Sequence, residues 1–227
     1  MIDNFDFQKD YLKITNKNEI HGFQYKDGIN LDTNNLDKNG SCTLGLYFTD
    51  KENIEKFYDY GIWIRMIKLP VDDPTLIVVQ DTSGDKWRAN KLILGDKLDM
   101  SDPETYTQLG LPMLSIDMAS QRGYIDILEW WKTSGLTPAS KYTHNAVYWE
   151  SQNGDIEILE WWLHSGLELK YTEDAMDYAS NFGKIDVLDW WKHSGLELMY
   201  TETALKWASF GRIVVLNWWK NSGLELK

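Results

Sequence analysis

The residues of this chain best suited to covalent catalysis are its single cysteine, Cys42, and a histidine that precedes it, His21. A thiolate becomes a nucleophile when a neighbouring base takes its proton, so this pair is the minimum set for such chemistry. Residues 30–40 between them are rich in Asn and Asp, which predicts an exposed loop. Because nothing else supports the pair, we expect Cys42 to be a small loop or buried residue. A lone cysteine also excludes an intramolecular disulfide and a cysteine-based metal site.

Three further histidines, His144, His164 and His193, lie in the second half of the chain. Imidazole binds metals, but a metal site needs a third and a fourth ligand close by, and none is evident. His164 and His193 occupy the same late position of successive predicted helices, where the helix dipole favours a cation. We therefore expect these histidines to be structural, and we expect the protein to hold no metal or cofactor.

The histidines belong to a sequence segment that recurs four times. Its fullest form, YTEDAMDYASNFGKIDVLDWWKHSGLEL, runs from Tyr171 to Leu198. Its glycines recur about every 30 residues, at Gly123, Gly154, Gly183 and Gly211. Such a period is typical of solenoids, in which stacked units bury a face that one unit alone cannot bury. The predicted units are 113–141, 142–170, 171–199 and 200–227.

Each unit predicts two helices joined by a short turn. In the third unit Thr172 is placed to cap the first helix, and Gly183 ends it. The second helix is predicted from Ile185 to about His193, with an unusually broad apolar stripe.

The second helices carry the Trp-Trp pairs Trp130-Trp131, Trp161-Trp162, Trp190-Trp191 and Trp218-Trp219. One interpretation is an aromatic platform for bases or sugars. However, adjacent helical residues point ~100° apart, so the two rings cannot form one flat surface. We therefore predict that the pairs are core, where replacing a Trp with Ala costs about 3–5 kcal/mol.

The repeated segment resembles the ankyrin repeat. Met176-Asp177-Tyr178-Ala179-Ser180 stands where ankyrins have L-H-x-A-A, and Gly183-Lys-Ile-Asp-Val-Leu188 stands where they have G-H-x-x-V-V. Trp190-Trp191 replaces the usual Leu-Leu. The units are shorter than the ~33 residues of an ankyrin repeat, so the β-finger between units should be shortened or absent.

The whole chain is similar to the ankyrin-repeat proteins of giant DNA viruses of the mimivirus type. Besides the Trp-rich short repeats, the resemblance rests on Tyr11-Leu-Lys-Ile-Thr-Asn16, Gly22-Phe-Gln-Tyr-Lys-Asp-Gly28, Gly45-Leu-Tyr-Phe-Thr49 and Lys91-Leu-Ile-Leu94. This resemblance implies binding of a protein partner, such as a host protein, in the cytoplasm of an infected cell. It supplies no catalytic residue.

The repeat positions that vary between units are the candidates for partner contact. One such position holds Asp117, Tyr148, Asp177 and Lys206, and a second holds Gln121, Gln152 and Asn181. In an ankyrin-like stack the first helices line the concave face, so the first set should form a row across it. Tyr and charged residues there suit a binding hot spot surrounded by polar residues. An equal alternative is that these residues differ between units only because they are exposed to solvent and unconstrained.

The N-terminal part also resembles ADP-ribosyltransferases of the poly-ADP-ribose polymerase type in two short segments. His21-Gly22 matches an H-G pair, and Gly45-Leu-Tyr-Phe-Thr49 matches a later G-I-Y-F segment. The resemblance implies that His21 and Tyr47 would hold a nicotinamide dinucleotide. No Glu follows between Glu55 and Asp99, where that family has a catalytic one, and the glycines equally suit turns.

The predicted fold class is α+β, with a small mixed α/β domain followed by an α-solenoid of about four ankyrin-like helix–turn–helix repeats. The expected boundaries are 1–100, a junction at 101–112, and 113–227. The first domain should have four or five strands and one helix. The strands expected late in it are Leu76–Gln80 and Trp87–Leu94, joined by a turn at Asp81–Asp85.

The formal net charge of −12 makes nucleic acid an unsuitable partner, because an acidic surface repels phosphate. No apolar run approaches the ~20 residues of a membrane helix, and the N-terminus does not have the basic, apolar pattern of a signal peptide. We therefore expect an intracellular protein without a membrane partner. The last repeat retains its full consensus where solenoids normally have a polar cap, so self-association through that repeat is a further expectation.

The sequence thus favours a non-catalytic protein–protein interaction module that binds its partner on the concave face. Two alternatives stay open at this point: NAD-linked transfer or nucleotide binding in the first domain, and a structural role in a virus particle or factory.

Overall fold

The computed structural model describes residues 5–18, 23–33, 36, 44–136, 141–208 and 212–225. The chain divides into two compact units, Met1–Met113 and Leu114–Lys227. The first unit is built on a β-sheet and the second on helices, so the fold class is α+β.

The N-terminal unit contains an antiparallel sheet. Within the described residues its strands are β1 (Tyr11–Thr15), β2 (Gly28–Leu31), β3 (Leu46–Asp50), β4 (Trp63–Lys68), β5 (Val78–Gln80), β6 (Trp87–Ala89), β7 (Lys91–Leu94) and β8 (Leu98–Asp99). Their order is β2-β7-β4-β1-β3-β6-β5, and β8 pairs with β4. A 3₁₀ helix spans Ile54–Tyr60, and helix α1 spans Pro103–Leu109.

The strand β1 lies at the centre of this unit and is buried along its whole length. It pairs with β4 at five positions, from Tyr11↔Ile67 to Thr15↔Trp63. On its other side it pairs with β3 at only two, Tyr11↔Asp50 and Leu12↔Thr49. The sheet is therefore continuous between β1 and β4 but separates between β1 and β3.

Three predictions about strands in this unit are wrong. Four or five strands were expected, and eight occur within the described residues. Residues 87–94 form two strands, because Asn90 interrupts them: its side chain accepts from Ile77 N at 2.8 Å and donates to Thr75 O at 2.9 Å. The expected loop at 30–40 begins inside β2, where Asn30 is fully buried. The Asn30 side chain accepts from Lys26 N and donates to Gly28 O, which satisfies its polar atoms without water. The hairpin turn at Asp81–Asp85 is confirmed by the antiparallel pairing of β5 and β6.

The C-terminal unit consists of helix pairs. Within the described residues they are α2 (Ile116–Gln121) with α3 (Ile125–Thr133), α4 (Asn145–Asn153) with α5 (Ile156–His164), α6 (Asp174–Phe182) with α7 (Ile185–His193), and α8 (Glu202–Ala208) with α9 (Ile213–Ser222). The first helices contact one another in the order α2, α4, α6, α8, and the second helices α5, α7 and α9 do the same.

The helix ends follow the predicted capping chemistry. Thr143, Thr172 and Thr201 accept hydrogen bonds from the backbone N–H two residues later, at 3.1–3.3 Å. Gly183 ends α6 with a left-handed backbone, φ 73°. A Cβ at Gly183 would lie 2.9 Å from Arg212 Nη1 of the next helix pair. Glycine is needed there for its backbone conformation, since the Arg212 guanidinium lies at the end of a flexible side chain that can shift.

The second Trp of each later pair is core, as predicted. Trp162, Trp191 and Trp219 are each 1% exposed. Their indole N–H groups donate to serines on the first helix of the preceding pair: Trp162 to Ser120 at 2.8 Å, Trp191 to Ser151 at 3.1 Å and Trp219 to Ser180 at 3.0 Å. The same buried hydrogen bond therefore links each helix pair to the one before it.

The first Trp of each later pair makes a second link to the preceding helix pair. Trp161 donates to Glu129, Trp190 to Glu160 and Trp218 to Asp189, each at 2.7 Å. Within each pair the rings are perpendicular, at 83–90°, with centroids 5.0–5.1 Å apart. The Trp pairs are therefore not flat aromatic platforms.

The Trp–Ser link predicts a specific energetic coupling. Ser180→Ala leaves the buried Trp219 N–H without its acceptor and should lower the free energy of unfolding by about 1–3 kcal/mol. Because Trp219→Phe removes that donor, Ser180→Ala should cost much less in the Trp219→Phe background. Urea denaturation of the four variants measures this coupling, and additive costs within ~0.5 kcal/mol would show that the link contributes nothing.

Candidate protein-binding surface

The seven positions predicted to contact a partner lie on the first helix of each pair, and their environments differ. Gln121 and Lys206 are exposed, whereas Gln152 and Asn181 are half-buried. The other three, Asp117, Tyr148 and Asp177, make specific contacts within the chain.

Asp117 and Asp177 link consecutive helix pairs. Asp177 is only 3% exposed. Its carboxylate accepts from Thr201 N at 2.9 Å and from Thr201 Oγ1 at 2.5 Å. Asp117 makes the same two bonds to Thr143, at 3.0 and 2.7 Å. Both oxygens of each carboxylate accept hydrogen bonds within the chain, so these two side chains position the next helix pair, while their predicted contact with a partner stays untested.

Tyr148 stands where the first and third units have this aspartate. Its ring packs edge-on against Tyr178, with centroids 4.9 Å apart at 83°. Tyr178 in turn packs against Trp207 at 4.8 Å, and Tyr148 packs against Trp149 at 4.8 Å. Partial burial raises the pKa of the Tyr148 hydroxyl, so it is neutral at physiological pH and serves as a hydrogen-bonding group.

These side chains form a continuous surface across α4, α6 and α8, which we name the aromatic row. It consists of Tyr148, Trp149, Tyr178, Phe182 and Trp207. Phe182 stacks on Tyr178 at 6.4 Å and is 42% exposed. The other four are half-buried. Trp149, Tyr178 and Trp207 occupy one repeat position, and Tyr148 and Phe182 extend the surface beyond it.

Glu150 is an unusual residue on α4 that the sequence analysis missed. It occupies the position of the buried Ala119 and Ala179 and is itself 1% exposed. Its Oε1 has no hydrogen-bond partner among the described residues. Burial, and secondarily the charge of Asp155, raises the pKa of Glu150 to about 9. The sequence signal that could have identified Glu150 is that it is the one glutamate at a repeat position where the other units have alanine.

Tyr47 lies on β3 and is half-buried, and its main-chain carbonyl accepts from Lys13 Nζ at 2.9 Å. His21 and Cys42 lie outside the described residues, so the pairings of His21 with Tyr47 and with Cys42 stay untested.

His164 lies 3.2 Å from Glu160, and His193 Nδ1 lies 2.7 Å from the carbonyl of Asp189, one helical turn earlier. Among the described residues no group of three or more potential metal ligands occurs. In the same ranges, no helix combines the length and apolarity of a membrane span.

Comparison with known proteins finds relatives in Acanthamoeba polyphaga mimivirus. "Putative ankyrin repeat protein R868" is 40% identical over 129 residues, which cover 52% of this chain and 64% of the relative. "Putative ankyrin repeat protein R896" is 37% identical over 149 residues, covering 61% of this chain and 45% of the relative. "Uncharacterized protein R869" is 35% identical over 130 residues, covering 52% of this chain and 94% of the relative.

The matches to proteins named as putative ankyrin repeat proteins support the assignment of this chain as a giant-virus ankyrin-repeat protein, as the sequence resemblance predicted. It spans less than two thirds of the length of the first two relatives. No protein-family model matches the chain. No solved structure matches it either.

Glu150 predicts a pH dependence of stability. The pKa of Glu150 is raised from 4.5 in the unfolded chain to about 9 in the folded protein. Between these two pH values the folded protein keeps a proton on Glu150 that the unfolded chain has released, so the free energy of unfolding falls as the pH rises. Glu150→Gln should flatten this fall and stabilise the protein at pH 7 by roughly 2–3 kcal/mol. The exposed Glu157→Gln on α5 is the matched control. Denaturation midpoints between pH 5 and pH 8 measure the effect, and parallel curves for wild type and Glu150→Gln would contradict it.

Proposed function

We propose that this chain is a non-catalytic protein–protein interaction module, in which an ankyrin-like solenoid binds a partner protein on its concave face. The repeated helix pairs, their contacts in two rows and the recurring Trp–Ser bonds support such a stack. The names of the relatives support the ankyrin assignment. In this proposal the interacting domain is 113–227, preceded by a junction at 101–112 and a separate domain at 1–100.

The aromatic row is the observation that carries the proposal. Protein interfaces are enriched in Tyr and Trp, and their hot spots are aromatic side chains that a partner desolvates. In the aromatic row one aromatic side chain contacts the next across three helix pairs, while most of the rings keep a solvent-accessible edge. A core position would bury these rings completely, as it does the second Trp of each later pair.

The polar residues beside the row supply the rim that such an interface needs. These side chains can donate hydrogen bonds to a partner, so that binding does not bury them without an acceptor. They are Gln121, Gln152, Asn181 and Lys206. Asp117 and Asp177 contribute indirectly, because their bonds to Thr143 and Thr201 fix the spacing of the helices that carry the row. The partner that fits is a protein, a host protein included, that offers apolar groups and hydrogen-bond acceptors. The place of action would be the cytoplasm of the infected cell.

Self-association through the last helix pair is a separate proposal of ours. Ile213 and Val214 are each 69% exposed. Ile185, which is the residue of the third unit equivalent to Ile213, is half-buried. Leu224 is half-buried and Leu226 lies outside the described residues. Neither nucleotide transfer by the N-terminal unit nor a structural role in the particle is favoured by a described contact.

Capture experiments with matched variants test the proposed surface. Wild-type protein and the triple variant Tyr148→Ala, Phe182→Ala, Lys206→Ala are incubated with infected-cell lysate, and the retained proteins are identified. The variant should lose at least ~90% of a protein that wild type retains, because each hot-spot truncation costs more than ~1 kcal/mol.

The control for this experiment is Glu157→Ala, Lys192→Ala, which changes exposed residues of the second helices only. Circular dichroism confirms that all variants keep their helices. Equal retention by wild type and the triple variant would refute binding at the aromatic row.

A further inference from the structure

A cavity of about 220 Å³ opens in the N-terminal unit beside β1, β3 and the 3₁₀ helix. It exists because β1 and β3 separate after only two paired positions. Beyond that point the Lys13 side chain spans the gap and donates from Nζ to the Tyr47 carbonyl at 2.9 Å. The cavity therefore contains a lysine ammonium group at a break in the sheet.

The lining of this cavity is aromatic and cationic. Five rings face it, those of Tyr25, Tyr47, Phe48, Phe57 and Tyr60. Its charged side chains are two lysines, Lys13 and Lys86, and no carboxylate belongs to the described lining. The Lys13 Nζ lies 4.1 Å from the centroid of the Tyr25 ring, and the Lys86 Nζ lies 5.3 Å from that of Tyr47.

The two lysines differ in their surroundings. Lys86 is partly exposed and lies 3.9 Å from Asp81 Oδ1. Lys13 is 6% exposed, and no carboxylate lies within ion-pair distance of it among the described residues. Lys13 contacts the Tyr47 carbonyl and the Tyr25 ring, and Thr49, Lys86 and Tyr60 belong to the same lining. Burial lowers the pKa of Lys13 to about 7.

We propose that this cavity binds a small aromatic carboxylate, whose ring lies among Tyr25, Tyr47 and Phe57 and whose carboxylate pairs with Lys13. The aromatic lining provides edge and face contacts to a planar ring. The carboxylate supplies a counter-ion for Lys13, and the described residues provide none within ion-pair distance. A cavity of about 220 Å³ suits a ligand of about ten non-hydrogen atoms and is well below the ~300–1,000 Å³ of sites for drug-sized molecules. This site is independent of the aromatic row.

Titration calorimetry of the full chain with benzoate tests the site, with benzamide as the uncharged molecule of the same shape. Benzoate should bind saturably with a Kd of roughly 1 mM or lower, and benzamide at least ~10-fold more weakly. Benzoate binding should strengthen roughly tenfold or more from pH 8.5 to pH 6, because a larger fraction of Lys13 is then an ammonium group while benzoate stays charged. Equal binding of the two compounds, or no saturable binding of benzoate, would overturn the proposal.

Two further measurements identify Lys13 as the binding group. Lys13→Met, of similar volume, should abolish benzoate binding, whereas Lys68→Met at an exposed position of β4 should leave it unchanged. Nitrogen-15 NMR of the lysine Nζ atoms in the wild-type protein avoids dependence on the folding of that variant. Benzoate should raise the pKa of Lys13 and benzamide should not. Retained binding in a folded Lys13→Met variant, or a Lys13 pKa insensitive to benzoate, would each contradict the assignment.

Discussion

The helical unit depends on one requirement: a buried indole N–H needs a hydrogen-bond acceptor. Leaving such a donor unpaired in the core costs about 1–3 kcal/mol, so the large Trp side chain is stable only where an acceptor meets it. In the later helix pairs that acceptor is a serine on the preceding pair, Ser120, Ser151 or Ser180. Each pair is thereby held at one register relative to its neighbour, and the register sets the spacing of every other repeated side chain.

The aromatic row follows from that register. When the first helices contact one another at a fixed spacing, the side chains at one repeat position meet their equivalents in the next unit, as Tyr178 meets Trp207. The same position can then serve two purposes. In the first and third units an aspartate uses it to bind the capping threonine of the next pair, while in the second unit Tyr148 gives up that bond and extends the aromatic surface. The edge-on contact of Tyr148 with Tyr178 takes the place of that bond, and an aromatic pair of this geometry contributes about 0.5–1.5 kcal/mol.

The repeat half of the fold was predictable and much of the site was not. Periodicity alone gave α7 its bounds, Ile185–His193, and the angle between adjacent helical residues indicated that the Trp pairs are not flat platforms. The prediction that both rings of every pair are core was only partly right, because Trp130, Trp131, Trp161 and Trp218 are half-buried. The serine acceptors and the Asp–Thr links escaped prediction because they join residues of different units, and only the stacking geometry shows which positions meet. Glu150 was missed because its three equivalents are alanines and the pattern suggested a small residue. In the N-terminal unit the strands were partly predicted, but their order is non-local, so the separation of β1 from β3 and the resulting burial of Lys13 could not be foreseen.

Hydrogen exchange of the indole N–H groups, followed by NMR, tests most directly whether the buried Trp–Ser bonds hold the helix pairs together. The protons of Trp162, Trp191 and Trp219 should exchange slowly and together, because releasing any one of them requires neighbouring pairs to separate. Those of Trp161 and Trp218, half-buried and bonded to carboxylates, should exchange much faster. Equal, fast exchange of all five indole protons would contradict the account.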